Sequence, residues 1–278
     1  MTEHRPLPFR LPSGEGMYNR QVRLTWLARL YLWATHRLYN QFTWAYDVVS
    51  WVISLGQWSR WRRMALDHVP HIGVHMTGQR VLELGFGTGE LLIEMAERGW
   101  RVCGLELSSA MHRVTAGKMR RRGVWAPRVR GCAQALPFTG GAFHALVATF
   151  PAGFILSRAT FLEAARVLRN PDSAADHQGG RFIITGLFFE TESSMVRGAS
   201  HLVWGGAAGS IATICKQLAA DAGLTVTVTA DKAKWIRWPI LILEKREVPD
   251  RTFHISGDDE WSEKLIPPGQ RRHYGRDA

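Results

Sequence analysis

A chain of 278 residues with 46% apolar content suits one sizeable α/β domain with appendages rather than two small domains. Its net charge of +11 points to an anionic partner (nucleic acid, a membrane surface or an acidic ligand) and says nothing about the fold. Three cysteines, Cys103, Cys132 and Cys215, are odd in number and widely spaced, which speaks against a disulfide framework or a zinc cluster and suits a reducing compartment.

Residues 1–16 are rich in proline, glycine and charge, and are expected to be a loose leader without the apolar core of a secretory signal. No stretch of the sequence reaches the roughly 18 apolar residues of a membrane-spanning helix. Residues 17–70 read as an amphipathic helical extension. Within residues 17–63 there are six tryptophans and seven arginines but one acid, Asp47. Leu27, Leu30, Tyr31, Ala34, Leu38, Phe42, Ala45 and Val49 form one apolar stripe at helical spacing. Trp26, Trp33, Trp44 and Trp51 fall beside it, bordering Arg29, His36 and Asn40. Tryptophan at an apolar boundary with arginine beyond it suits a helix lying in a membrane interface. The same stripe equally suits a helix packed on the core as a lid over a pocket.

From residue 79 onward, short apolar runs alternate with helical stretches, the rhythm of a parallel sheet. Strands are expected over residues 80–84, 102–105, 128–131, 144–150 and 181–187. Helices are expected over 90–98, 109–122 and 159–168, with a polar loop over 170–180. Residues 193–209 read as a loop or lid, 211–222 as a helix, and 225–230 with 239–244 as a closing antiparallel pair. Residues 247–278 read as a polar tail.

The segment Glu83-Leu84-Gly85-Phe86-Gly87-Thr88-Gly89-Glu90 joins an apolar strand to a helix through three alternating glycines. Such a turn lets a ligand approach the backbone at a helix N-terminus, where N–H groups are free. A dinucleotide fingerprint wants glycine where Glu90 stands, and a carboxylate there opposes a pyrophosphate. Glu106 ends the next strand seventeen residues after Gly89, close to the spacing of a sugar-binding carboxylate, which accepts from two vicinal hydroxyls. Ser108 and Ser109 are suited to cap the helix that follows. A third run is Gly131-Cys132-Ala133-Gln134-Ala135-Leu136-Pro137-Phe138, and a fourth is Thr149-Phe150-Pro151.

The order and spacing of these runs resemble the class I S-adenosylmethionine-dependent methyltransferases, over about residues 75–245. The resemblance implies a Rossmann-like, seven-stranded α/β sheet with helices on both faces, preceded here by the helical extension, with the cofactor-binding domain at 71–246. It implies S-adenosyl-L-methionine as cofactor, held by Glu83, Gly85, Phe86, Gly87, Gly89, Glu106, Leu107, Cys132, Ala133, Gln134 and Phe150, and no metal. The family usually has aspartate where this chain has Cys132, so the contact to the adenine amine is altered; thiol sulfur is a weak acceptor. His144 at a strand start reads as structural, and 170–180 reads as an insertion. Tyr46-Asp47 resembles the Tyr-Asp that precedes the core in quinone- and phospholipid-directed members.

The expected chemistry is in-line transfer of the sulfonium methyl, with alignment as the enzyme's main contribution. Tyr46, Asp47, His36 and His201 are the candidate acid-base groups for an acceptor that needs one. The leading expectation is a cytoplasmic enzyme, peripheral to an anionic membrane surface, acting on a phospholipid, quinone or similar acceptor. Its rivals are a methyltransferase of a soluble small molecule with the extension as lid, a binding protein without turnover, and a nucleic-acid methyltransferase. No Asn-Pro-Pro-Tyr-like segment follows the fourth strand, and the basic cluster Lys118-Met119-Arg120-Arg121-Arg122 lacks the aromatic interleaving of a single-strand groove.

Overall fold

The computed structural model describes residues 54, 56–70, 79–171, 179–187, 190–191, 207–233 and 236–245, all within one compact unit. Five parallel strands come first: β1 (Arg80–Leu84), β2 (Arg101–Glu106), β3 (Arg128–Arg130), β4 (Ala145–Thr149) and β5 (Arg181–Thr185). Between them run α2 (Glu90–Glu97), α3 (Ser109–Arg122) and α4 (Arg158–Val167), and α1 (Trp58–Arg63) precedes the sheet. After β5 come the two-residue β6 (Glu190–Thr191), then α5 (Ala207–Asp221), β7 (Leu224–Ala233) and β8 (Ile236–Lys245).

The strand order is β3-β2-β1-β4-β5-β8, with β7 on the far side of β8. β8 runs antiparallel to both of its neighbours. β6 pairs with Ile236 and Arg237, prolonging β5 along the same edge of β8, so the sheet is seven strands across. The expected doubly wound sheet with a closing antiparallel pair is therefore the one formed. Some bounds differ. α5 begins at Ala207, four residues before the expected 211, inside the stretch read as loop. β7 and β8 are longer than expected because each residue from 224 to 233 finds a partner in the other strand.

Strand alternation explains why helices cover both faces. Val81, Val147, Ile183 and Ile240 pack with Leu91, Leu92, Ile93 and Met95 of α2. Leu82, Leu84, Leu146, Ala148, Phe182 and Ile184 face the other way, against Phe161 and Ala164 of α4 and Cys215 and Ala219 of α5. The first cluster also takes in Trp61, Met64, Ala65, Leu66 and Val69, so the end of the N-terminal extension lies in the core. The tight seating of α2 on β2 requires Gly104: a Cβ there would stand 2.5 Å from the Phe86 ring and 2.6 Å from Leu92. His144 is structural, as expected. Its Nδ1 accepts from the Arg80 N–H at 3.1 Å, and its Nε2 lies 3.2 Å from the Arg169 guanidinium.

Candidate cofactor site

The turn after β1 is built from backbone that only glycine adopts easily. Gly85, Gly87 and Gly89 have φ of +73°, +53° and +77°. Gly85 N–H donates to Leu105 O at 2.7 Å, which ties the turn to the neighbouring strand. Gly89 is the N-cap of α2, with no side chain to cap the helix. A Cβ there would lie 2.3 Å from the Thr115 methyl. Thr115 Oγ1 also donates to Gly87 O at 3.2 Å, so α3 braces the turn from outside.

Glu106 stands at the end of β2, beside this turn, and is buried. Its Oε2 accepts from Gly87 N–H at 3.1 Å and its Oε1 from Ser108 N–H at 2.8 Å. Each carboxylate oxygen has two lone pairs, so such a group can accept from both hydroxyls of a sugar diol. Ser108 is the N-cap of α3, accepting from Met111 N–H at 3.4 Å. The His112 ring sits 3.0 Å from Glu106 O and packs edge-on to Phe86, with ring centroids 4.9 Å apart. His112 and Thr115 line one face of α3, a pair the sequence reading missed. Helical spacing from Ser108 through 112, 115 and 119 was the signal that could have found them.

Glu83 faces the α1–α2 side of β1 and is 2% exposed. Burial pushes its carboxyl pKa up to about 8; Arg62 and an N–H of Leu92 in the first turn of α2 pull it down, and Glu106 pushes it further up. Its Oε2 has no hydrogen-bond partner. A buried acid with an open acceptor beneath the glycine turn fits a ligand carrying positive charge, as the sulfonium and amine of S-adenosylmethionine do. Glu90 does not compete for that place. It pairs with Lys118 at 2.6 Å and Arg122 at 2.9 Å, turned toward α3.

Beyond β3 the chain makes a turn at 132–135, where Ala135 N–H donates to Cys132 O at 3.1 Å. Ala133 is buried, and the Cys132 thiol and the Gln134 carboxamide oxygen meet. Leu107 is exposed at the rim, and Arg130 Nε donates to its carbonyl at 3.0 Å. Phe150, just after β4, has a positive φ of 49°. Its ring lies in an aromatic cluster rather than alone at the rim: 4.3 Å from Trp58, 6.4 Å from Trp61 and 5.1 Å from Trp238. Trp61 and Trp238 are 4.8 Å apart. The sequence does not reveal this cluster, because its members come from α1, the residue after β4, and β8. Arg62, also buried, lies 5.7 Å from the centre of the Trp58 ring.

The structure thus brings Glu83, Gly85, Phe86, Gly87, Gly89 and Glu106 together, with Leu107 and the turn at 132–134 along the same sheet edge. Tyr46, Asp47, His36 and His201 lie outside the described residues, as does most of the extension. Among the described residues no group of three or more His, Cys, Asp or Glu could hold a metal, and no helix is long and apolar enough to cross a membrane.

Residues 81–171 match the model of the methyltransferase domain family. Over 105 residues the chain is 39% identical to a demethylmenaquinone methyltransferase of Renibacterium salmoninarum, covering 38% of this chain and 41% of that one. Over 115 residues it is 31% identical to the demethylmenaquinone methyltransferase of Thermus thermophilus, covering 41% and 50%. The matched segment spans half or less of the length of these relatives. Among solved structures, geranyl diphosphate C-methyltransferase from Streptomyces coelicolor A3(2) aligns with a TM-score of 0.49 and 14% identity, over 68% of this chain and 79% of that one, a likeness too loose to add to the strand order. The glycine turn, the acid at the end of β2 and the match to the methyltransferase domain model coincide on the same residues, within 81–171.

Proposed function

We propose that this protein transfers the methyl group of S-adenosyl-L-methionine to an apolar, quinone- or lipid-like acceptor at an anionic membrane surface. The observation that carries the reading is the meeting of two unlike walls. Glu83, the glycine turn and Glu106 form a polar edge along β1 and β2. Beside it, after β4, the partly buried rings of Phe150 and Trp58 pack on the buried Trp61 and Trp238, an aromatic wall whose outer members are Phe150 and Trp58. A charged cofactor suits the first and an aromatic or isoprenoid acceptor the second. The relatives' name, demethylmenaquinone methyltransferase, supports a quinone-type acceptor. The net charge of +11 and the tryptophan- and arginine-rich segment 17–63 support an anionic surface, where each basic residue contributes about 1 kcal/mol.

In this reading Glu106 holds the sugar hydroxyls and Glu83 faces the positively charged end of the cofactor. The acceptor atom attacks the methyl carbon, the methyl–sulfur bond breaks, and S-adenosylhomocysteine leaves. Tyr46, Asp47 and His201 are the proposed groups for taking the proton the acceptor gives up. The test is incubation of the full chain with S-adenosylmethionine and a short-chain demethylmenaquinol in detergent. The expected products are S-adenosylhomocysteine and a quinol heavier by one methylene unit. Binding to vesicles containing anionic lipid, and not to zwitterionic ones, tests the surface.

One observation favours a second reading, a soluble acceptor beneath a lid. The end of the extension, from Trp61 to Val69, is packed into the core rather than presented outward. A turnover rate that is the same with and without anionic vesicles would favour it.

A further inference from the structure

We propose that Trp58, Trp61 and Arg62 form a binding site for an aromatic oxyanion, so that the methyl acceptor is a phenol or hydroquinone held in its ionised form, with Arg62 at the charged oxygen. The inference rests on the reading of the protein as a methyltransferase of a quinone-type acceptor. It adds the groups that grip the acceptor and the form in which the acceptor reacts.

The first step is an imbalance on one short helix. Trp58 Nε1, Trp61 Nε1 and Arg62 Nε are all buried, and none has a hydrogen-bond partner. A buried donor left unmet is costly, and α1 carries three of them within five residues. All three are donors, so whatever satisfies them must carry acceptors.

Charge gives the second step. Arg62 is 9% exposed, and a guanidinium stays ionised. The carboxylates around it do not neutralise it. Glu83 on β1 feels its charge, but burial holds the Glu83 carboxyl up to about 8, so near neutral pH it is largely protonated. Across the groove that Arg62 borders, between α1 and α2, the acids pair with other cations: Glu90 with Lys118 and Arg122, Glu94 with Arg63 and Arg98, and Glu97 with Arg122. A buried cation without a counter-charge is a standing cost that an anionic ligand removes.

The surroundings give the third step. The Arg62 guanidinium lies 5.7 Å from the centre of the Trp58 ring. Trp58 packs on Phe150 at 4.3 Å, and Trp61 lies 6.4 Å from the same ring. A ligand that reaches these donors lies among aromatic rings, which suits a flat aromatic molecule. Ionisation also serves the chemistry. The phenolate oxygen pushes electrons to the ring carbon beside it, and that carbon attacks the sulfonium methyl as the methyl–sulfur bond breaks. The same carbon then loses its proton and the ring regains aromaticity. The hydroxyl proton, given up on binding, is taken back from water on release.

The experiment uses 4-nitro-1-naphthol, whose anion is coloured. It is titrated against pH with the full chain and with Arg62→Gln, Arg62→Lys and Trp58→Phe, each saturated with S-adenosylhomocysteine. Bound to wild type, the naphthol should ionise about one to two pH units below its value in water. Arg62→Gln should abolish that shift, and Arg62→Lys should keep part of it, since it keeps the charge but not the planar fork. Trp58→Phe keeps the ring and loses the N–H, so it should keep the shift and weaken the naphthol by about three- to tenfold. Glu83 titrates in the same range, so the comparison is repeated in Glu83→Gln, where the shift should persist. Arg62→Gln removes a buried charge, so it should melt no lower than wild type. It should bind S-adenosylhomocysteine within about threefold of wild type, and kcat/KM for a short-chain demethylmenaquinol should fall about a hundredfold. The inference is overturned if the wild type does not bind the naphthol or leaves its ionisation as in water, or if Arg62→Gln shifts it equally. It is also overturned if Arg62→Gln loses S-adenosylhomocysteine by more than about tenfold, which would give Arg62 to the carboxylate of the cofactor. If Arg62→Gln methylates the quinol as fast as wild type, the oxyanion site falls and the quinone reading stands. If the wild type ionises the naphthol through Arg62 but does not methylate the quinol, the site stands and the quinone reading falls.

Discussion

The two walls of the proposed site are built in opposite ways. The polar edge, from Glu83 to Glu106, is made by one βαβ unit of consecutive residues, and backbone N–H and C=O groups do most of the holding. The aromatic wall is made by side chains from three distant segments, meeting at Phe150. The first is fixed by local geometry and tolerates little change of backbone. The second is fixed by packing and tolerates little loss of volume. If this division is real, damage to one wall should leave the other's function largely intact.

The largest expected effect is on the aromatic side. Trp61 is 6% exposed and touches both Phe150 and Trp238. Trp61→Ala should cost about 3–5 kcal/mol of stability, measured by urea unfolding. In buffer where the variant stays folded, its affinity for S-adenosylhomocysteine should change by less than about threefold. A larger loss would mean that the two walls act as one unit.

On the polar side, Gly89→Ala meets a positive φ and the Thr115 methyl at once. It should cost about 3 kcal/mol of stability, part from the left-handed backbone and part from the overlap. Cofactor binding should be lost to calorimetry. Adding Thr115→Ala should recover part of the stability but not the binding, because the backbone strain and the lost brace on Gly87 remain. Full recovery of binding in the double variant would show that the overlap alone was at fault.

This contrast also explains which parts of the molecule are legible in its sequence. Gly85, Gly87, Gly89 and Glu106 were legible because their roles follow from local spacing: a turn, a helix start, a strand end. The parallel strands and the closing antiparallel pair followed from the same alternation, whereas the strand order is seen only in the fold. Trp58, Trp61 and Trp238 were not legible as a group. Tryptophan in the extension carries no signal of what it will meet, and Trp238 lies on the last strand. The Glu83 carboxyl was chosen for its place in the motif, but its burial beside Arg62 is a tertiary fact.

A sharper probe of the polar edge is Glu106→Ala, expected to weaken S-adenosylhomocysteine by about a hundredfold. That is the scale of a charged acceptor lost from two hydroxyls. The same change frees the N–H groups of Gly87 and Ser108. Both lie at a rim that water reaches once the carboxylate is gone, so stability should fall by no more than about 1 kcal/mol. A fall much greater than that, with binding scarcely altered, would make Glu106 a brace for the turn rather than a sugar acid.

The smallest effect is a pH dependence, and its sign follows from Glu83. With a folded-state pKa of about 8 against an ordinary 4.5, the native protein holds a proton that the unfolded chain has released. Stability from this group is therefore complete below about pH 4.5 and drains away as pH rises through 8. Relative to Glu83→Gln, which cannot titrate, the wild type should lose about 2 kcal/mol between pH 6 and pH 8. Saturating S-adenosylmethionine should shrink that slope, because positive charge brought beneath the turn favours the carboxylate and draws its pKa down. A slope that persists unchanged with cofactor bound would place the sulfonium and amine away from Glu83. The buried acid would then belong with Arg62 and the aromatic wall, not with the cofactor edge.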